Sequence, residues 1–455
     1  MAYWVSGLFP VDTGLTGNIA NQLFALSKRI PMLNSPQKKD VDDSYRLAAA
    51  SRRFPAASAL RAGCLLLLGS MASPAALASW SDTIFPFLAT SYSYDDNLLR
   101  LDDNTPGYTG PRSDTSRQIQ AGFLFNRPIG RQVLSGQAKW SRVSFQHFDD
   151  LNYNGKDLQA DLEWHIGNHL DGHAGATYSE TLTPFSDFQT TGTDRNMRTR
   201  HRTYLDGGWL FHPSWRLRGG VSRERYYYDL SRLSYANRVE DASELGLDYL
   251  ASSGSKIGVQ LRHLKGNYPN RLAGSQFSLV DGYTQDEVKA NIYWRYSQVT
   301  QVQLLAGWVR RGYASFSGRD SKGANGRLIV NWAPLGKVRF TGNLWHEFGA
   351  VESALVSSSL NNGASVAAAW DISSKVRMDA EVRRQKRDFS AASGLVFPVD
   401  VTDSTHTESL GLTYAPRPNI QLGLNAFRDT RKGAPIINTG SYRAKGVSFS
   451  ASVQF

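Results

Sequence analysis

The feature that most constrains this chain is a two-residue period. Ile420-Gln-Leu-Gly-Leu-Asn-Ala426 puts Ile420, Leu422, Leu424 and Ala426 on one side and Gln421, Gly423 and Asn425 on the other. Successive side chains of a strand point to opposite faces, so the segment reads as a strand with one apolar and one polar surface. The same alternation recurs at 158–164, 338–344 and 376–382.

The connections alternate as well. Short turns are expected at 127–130, 167–170, 212–215, 251–255, 297–300, 334–337, 372–375 and 416–419. Between them lie longer polar stretches, among them 95–113, 182–199, 266–283, 350–362 and 431–439. Eight short turns and nine long loops join about eighteen strands, an even number with short turns at one end, as a bacterial outer-membrane barrel requires. The fold class expected is all-β: a transmembrane antiparallel barrel with short periplasmic turns and long extracellular loops. A barrel of that width cannot be filled by side chains, so the interior holds water or a plug.

Aromatic spacing gives an independent sign. Phe125, Trp164, Trp209, Tyr249, Trp294, Trp332, Trp370, Tyr414 and Phe455 recur every 38 to 45 residues, where even strands should end. Amphipathic rings at one depth form a girdle at the membrane–water interface. Propeller blades share that period but need four short strands in each repeat, whereas each repeat here holds two long ones. The ending Val447-Ser-Phe-Ser-Ala-Ser-Val-Gln-Phe455 resembles the assembly signal of outer-membrane barrels, with Phe455 as its key residue.

Composition agrees. Aromatics make up 11% and charged residues 20%, too aromatic for disorder and too polar for a helical membrane protein. No run of eighteen apolar residues occurs. Arg52, Arg53 and Arg61, the apolar run at 64–68 and the small residues 76–78 read as a late secretory signal cut after Ala78. The expected division is an extension and signal at 1–78 and a barrel at 79–455. Cys64 lies in the signal, so the exported part has no cysteine for disulfides or metal.

Of the net charge of +11, residues 1–78 contribute eight Lys/Arg against four Asp/Glu, leaving a barrel of mixed sign and arguing against nucleic acid. Inward positions should be polar; the candidate lining residues are Arg218, Arg262, Lys289, Arg295, Arg327, Arg339, Arg377, Asp379, Glu381, Asp161 and Glu163. For any one of them, a merely solvated wall is the simpler reading. Basic residues gather near the outer strand ends, including Arg198, Arg200, Arg223, Arg310, Arg311, Arg384, Lys386, Arg387, Arg428, Arg431, Lys432, Arg443 and Lys445. Those facing outward could pair with lipopolysaccharide phosphates; those facing inward would make an electropositive mouth.

Catalytic signatures are missing: there is no Gly-x-Ser-x-Gly, His-Glu-x-x-His, phosphate loop or dinucleotide fingerprint. His165, His169 and His173 share a four-residue spacing but straddle an expected turn, which argues against zinc. No enzyme activity, metal or cofactor is expected.

Near the start of the barrel, Tyr94-Asp95-Asp96-Asn97-Leu98 resembles the opening of the EpsL-type exopolysaccharide-operon outer-membrane proteins, within the wider β-barrel porin class. The late signal, the amphipathic hairpins and Phe455 fit the same resemblance, while residues 1–50 depart from it. The resemblance implies an outer-membrane conduit exporting an extracellular polysaccharide. Its partners would be the exopolysaccharide, outer-membrane lipid and lipopolysaccharide, and periplasmic polysaccharide-export proteins. A porin for small solutes and a surface-acting enzymatic or structural barrel remain as alternatives. Asp95, Asp96 and Asn97 could bind a cation or simply make a turn.

Overall fold

The computed structural model describes residues 83–455 except 103–104, 106–107, 187–193, 272–281, 314–319, 351–355, 392–395, 398 and 438. The signal and extension at 1–78, with the cut after Ala78, lie outside the described residues.

Eighteen strands follow one another: β1 (Ile84–Asp95), β2 (Asp114–Ile129), β3 (Gln132–Phe145), β4 (Tyr153–Ile166), β5 (Leu170–Leu182), β6 (Met197–His212), β7 (Trp215–Tyr228), β8 (Arg238–Leu250), β9 (Lys256–Asn267), β10 (Gly282–Arg295), β11 (Thr300–Gly312), β12 (Ser321–Leu335), β13 (Val338–Ala350), β14 (Val356–Asp371), β15 (Val376–Ala391), β16 (Thr402–Arg417), β17 (Ile420–Lys432) and β18 (Tyr442–Gln454). Each pairs antiparallel with the next, and β1 pairs with β18 from Phe87↔Gln454 to Asp95↔Gly446, so the sheet closes without an edge. The amide of Phe455 completes the seam by donating to the Pro86 carbonyl at 2.8 Å.

All eight tight turns fall where the sequence places them, the shortest being residues 130–131, 213–214, 336–337 and 418–419. Gly167 opens one with φ +60°, a backbone that side chains disfavour. Strands run further into three turns than expected, taking in Pro128, Pro334 and Pro416. Proline has no amide to give the ladder, and the pairing slips between Trp332 and Leu335 and between Tyr414 and Arg417. The expected loop at 350–362 is shorter than read, because β14 begins at Val356. Its run of Ser and Asn has no apolar alternation, but pairing with β13 and β15 holds it extended.

The alternation separates two surfaces. Outward positions carry Leu205, Val221, Leu245, Leu261, Val288, Leu344, Val366, Val382, Leu410, Leu424 and Phe449, all exposed. Below this belt, the rings Trp209, Tyr249, Trp294, Trp332, Trp370, Tyr414 and Phe455 project outward, several of them in pairs such as Trp215–Tyr249 at 5.4 Å and Trp294–Tyr296 at 5.2 Å. Tyr92, Tyr94, Trp140, Tyr227 and Trp308 form an upper set of exposed rings. So broad an apolar exterior suits hydrocarbon, and closure leaves no sheet edge of unpaired amides where water is absent. The protein is a bacterial outer-membrane β-barrel.

Candidate functional site

On the inner face, acids and bases interleave at cross-strand distance. Arg218 donates Nη2–H to Asp248 at 3.0 Å, and Lys256 approaches the same carboxylate at 3.8 Å. Asp248 is fully buried, so its two cations offset a desolvation cost that a lone carboxylate could not bear. Arg262 bridges Glu244 at 3.1 Å and Glu287 at 3.7 Å, and Lys289 also pairs with Glu287. Arg327 makes a two-pronged bond to Glu347 at 2.9 and 2.6 Å. Arg339 reaches Asp371 at 2.9 Å, and Arg377 reaches Asp379 at 2.7 Å. Asp161 accepts the Tyr204 hydroxyl, and Glu163 lies 3.7 Å from His165.

Of the candidate lining residues, Arg262 and Lys289 therefore share one acid, and Arg377 and Asp379 form a pair. Arg218, Arg327 and Arg339 join separate acids on neighbouring strands. Arg295 stands at the periplasmic end of β10, and Glu381 lies on the inner face of β15; neither has a described ion pair. Three of the acids that complete these networks, Glu287, Glu347 and Asp371, fell outside the expected wall although they share its parity. The cue was the alternation itself, continued past the apolar stretch toward both strand ends.

Nearer the outer mouth, arginines and tyrosines stack. Arg238 lies 3.8 Å from the Tyr226 ring centre and Arg311 lies 4.5 Å from that of Tyr283. The Tyr283 hydroxyl donates to Glu240 at 2.7 Å, and the Arg238 Nε–H donates to the same carboxylate at 2.9 Å. Arg271, in the β9–β10 loop, stacks on Tyr268 at 3.5 Å, and burial lowers its pKa from the usual arginine value. Arg387 and Arg431 both bind Asp403, at 2.8 and 2.7 Å, and Arg200 pairs with Glu224. The expected electropositive mouth is thus reduced but not cancelled: Arg200 and Arg238 each meet an acid of the same wall, whereas Arg387 and Arg431 share Asp403 and Arg311 donates to Gln285 and the Gly349 carbonyl.

The mouth is also narrowed by its own loops. Leu98, Leu99, Leu101 and Tyr108 of the β1–β2 loop pack with Val143 and Phe145 at the outer end of β3, together with Leu151, Tyr153 and Phe185. A second apolar cluster joins Val356, Phe389, Val401, Ala434 and Ile437. Between them, Arg431 of β17 donates Nη1–H to the backbone carbonyl of Ser186, which belongs to the β5–β6 loop. Five strands lie between β17 and β5 on the shorter way round, so this bond runs across the opening rather than along the wall.

The Tyr94–Leu98 segment acts as a clasp on the seam. Asp96 exchanges bonds with the Lys445 backbone: its amide donates at 3.0 Å and its carboxylate accepts at 2.7 Å. The Asn97 amide nitrogen donates to the Arg443 carbonyl at 2.9 Å. Arg100, with φ 55°, pairs with Asp95 at 2.8 Å and lies 5.7 Å from the Tyr442 ring centre. Burial opposes the Arg100 charge, but Asp95 outweighs it and holds the pKa above the usual arginine value. The acceptors that could have bound a cation are occupied by the protein's own donors. Among the described residues no cluster suited to a metal ion occurs; His169 and His173 bond to separate partners, and His165 lies 3.7 Å from Glu163.

No family model and no curated protein matches this chain. Solved structures align over most of it at low identity. The crystal structure of Acinetobacter baumannii OccAB3 has 9% identity and a TM-score of 0.45, covering 82% of this chain and 100% of that one. The outer membrane protein opdK from Pseudomonas aeruginosa has 10% identity and a TM-score of 0.43, covering 82% and 99%. A bacterial polysaccharide outer membrane secretin has 10% identity and a TM-score of 0.34, covering 82% and 99%.

Proposed function

We propose that this barrel is a passive porin for small polar solutes, working without cofactor or covalent chemistry. The observation that carries the reading is the Arg431–Ser186 bond across the mouth, together with the apolar clusters beside it. Loops drawn over an opening reduce its calibre, which favours small solutes over a chain of sugars. The inner wall supports this with many separate, replaceable polar contacts, which let a solute bind weakly and leave again. Arg218, Arg262, Lys289, Arg327, Arg339 and Arg377 line the path in this reading, with Asp161, Glu163, Asp379 and Glu381. Because most of these charges are paired, selection acts on size and hydrogen bonding more than on charge sign.

The test is reconstitution of the purified barrel in liposomes loaded with a polymer. Entry of monosaccharides and amino acids with exclusion of longer oligosaccharides supports the porin; tight vesicles in every solute overturn it. Export of an exopolysaccharide with periplasmic partners is the second reading, favoured by the Tyr94–Leu98 resemblance and by the stacked Arg and Tyr of the inner wall. Under that reading a deletion strain traps polymer in the periplasm, and under the porin it secretes polymer normally but loses uptake of a small solute.

A further inference from the structure

Outward cations gather at the top of β15 to β18. Elsewhere on the exterior some cations are held by acids, Arg223 by Asp241 at 2.6 and 2.9 Å, Lys156 by Glu180 at 2.9 Å and Arg310 by Asp320 at 3.7 Å, while Arg142, Arg225, Lys265 and Lys322 are exposed with no described ion pair. On this arc the side chains of Arg384, Arg428, Lys432, Arg443 and Lys445 are all exposed and have no described hydrogen bond or ion pair. The register makes them neighbours. Arg428 stands directly opposite Lys445, and Arg443 opposite Thr430, one step higher. Like charges facing each other across strands repel, so the arrangement costs stability unless an anion sits between them.

The acids nearby are engaged elsewhere. Glu408, across from Arg428, bonds His406 at 2.9 Å; Asp388 pairs with Lys386 at 2.9 Å; the Asp96 carboxylate binds the Lys445 backbone. Height fixes the kind of anion. The next outward residues below Arg428 and Lys445 are Ala426 and Val447, followed by Leu424 and Phe449, the top of the apolar belt. A ligand bound here has its charged group at the level of the cations and its apolar part in the hydrocarbon.

We infer that Arg428, Arg443 and Lys445, flanked by Lys432 and Arg384, form a binding site for the phosphate groups of an anionic glycolipid of the outer leaflet. Arginine offers paired donors that match phosphate oxygens, and lysine adds a point charge beside them. The inference is independent of what passes through the lumen.

The test uses the full barrel, purified in mild detergent and offered vesicles containing bisphosphorylated lipid A or only zwitterionic phospholipid. Native mass spectrometry then counts retained lipid. The expected result is retention of lipid A by the wild type and a loss of about tenfold or more in the triple variant Arg428→Ala, Arg443→Ala, Lys445→Ala, as expected for lost charge-assisted contacts. The variant Arg223→Ala, which removes an outward cation already held by Asp241 on another arc, should retain lipid as the wild type does. Heat-modifiable migration checks that each variant is folded; if the triple variant does not fold, Arg428→Gln alone is used, with a smaller loss expected. Equal retention by folded wild type and variant overturns the site. Displacement of the lipid by millimolar inorganic phosphate would also overturn it, by marking a general phosphate patch.

Discussion

Arg431 and Ser186 are 245 residues apart in the chain, yet a hydrogen bond from the guanidinium of one to the backbone carbonyl of the other ties two sides of the barrel mouth. Arg431→Ala removes that tie while Arg387 continues to hold Asp403. The expected outcome is a larger single-channel conductance, with a stability loss of about 2 kcal/mol for the lost charge-assisted bonds. Planar-bilayer recording reads the first and thermal melting in detergent the second; an unchanged conductance would show that the loop does not limit the path.

The clasp at the seam gives a second prediction. Arg100→Ala strips Asp95 of its buried partner and removes the cation beside Tyr442, which should cost about 3 kcal/mol. The temperature at which the folded, fast-migrating form converts to the slow one should fall, and Asp95→Asn should lower it too. A melting temperature equal to wild type in both would remove the clasp from the account of closure.

Orientation is tested by epitope tags. Tags in the β5–β6 and β9–β10 loops should be reached by antibody on intact cells, and tags at residues 336–337 or 418–419 only after the outer membrane is opened. Labelling of the tight turns on intact cells would invert the barrel.

Phe455 is exposed on the outward face beside the seam, where its amide meets Pro86. Phe455→Asp trades an interfacial ring for a charge, a loss of about 2 kcal/mol of apolar transfer alone. The fraction of heat-modifiable barrel in the outer membrane should drop sharply. Wild-type yields from this variant would be falsifying for the terminal anchor.

Much of the fold was legible because hydrocarbon imposes one rule on every strand. Leu422 and Leu424 had to face out, so strands could be read from alternation, their number from the turns and loops between them, and the ring girdle from the spacing of the aromatics. Above the membrane that rule lapses: the Ser-rich start of β14 is fixed by hydrogen bonds to its neighbours, which no hydropathy pattern reports. Inner-face parity placed Arg262 and Lys289 together, but which acid each meets depends on register, and the bond from Arg431 to Ser186 depends on the path of a loop. Pairing is what separates the two sets of arginines: Arg387 and Arg428 look alike in sequence, yet one is neutralised by Asp403 and the other faces a second cation.

The paired charges along the inner wall also set the electrical character of the space they enclose. Where Arg218, Asp248 and Lys256 or Arg262, Glu244 and Glu287 alternate in sign within a few ångströms, the field reverses before an ion can respond to it. That distance is shorter than the screening length of about 8 Å in physiological salt, so added electrolyte has little left to screen. Under the proposed porin function, such a stretch of wall acts as a zwitterionic surface: it orders water and exchanges hydrogen bonds, and a solute beside it would feel friction more than a net potential.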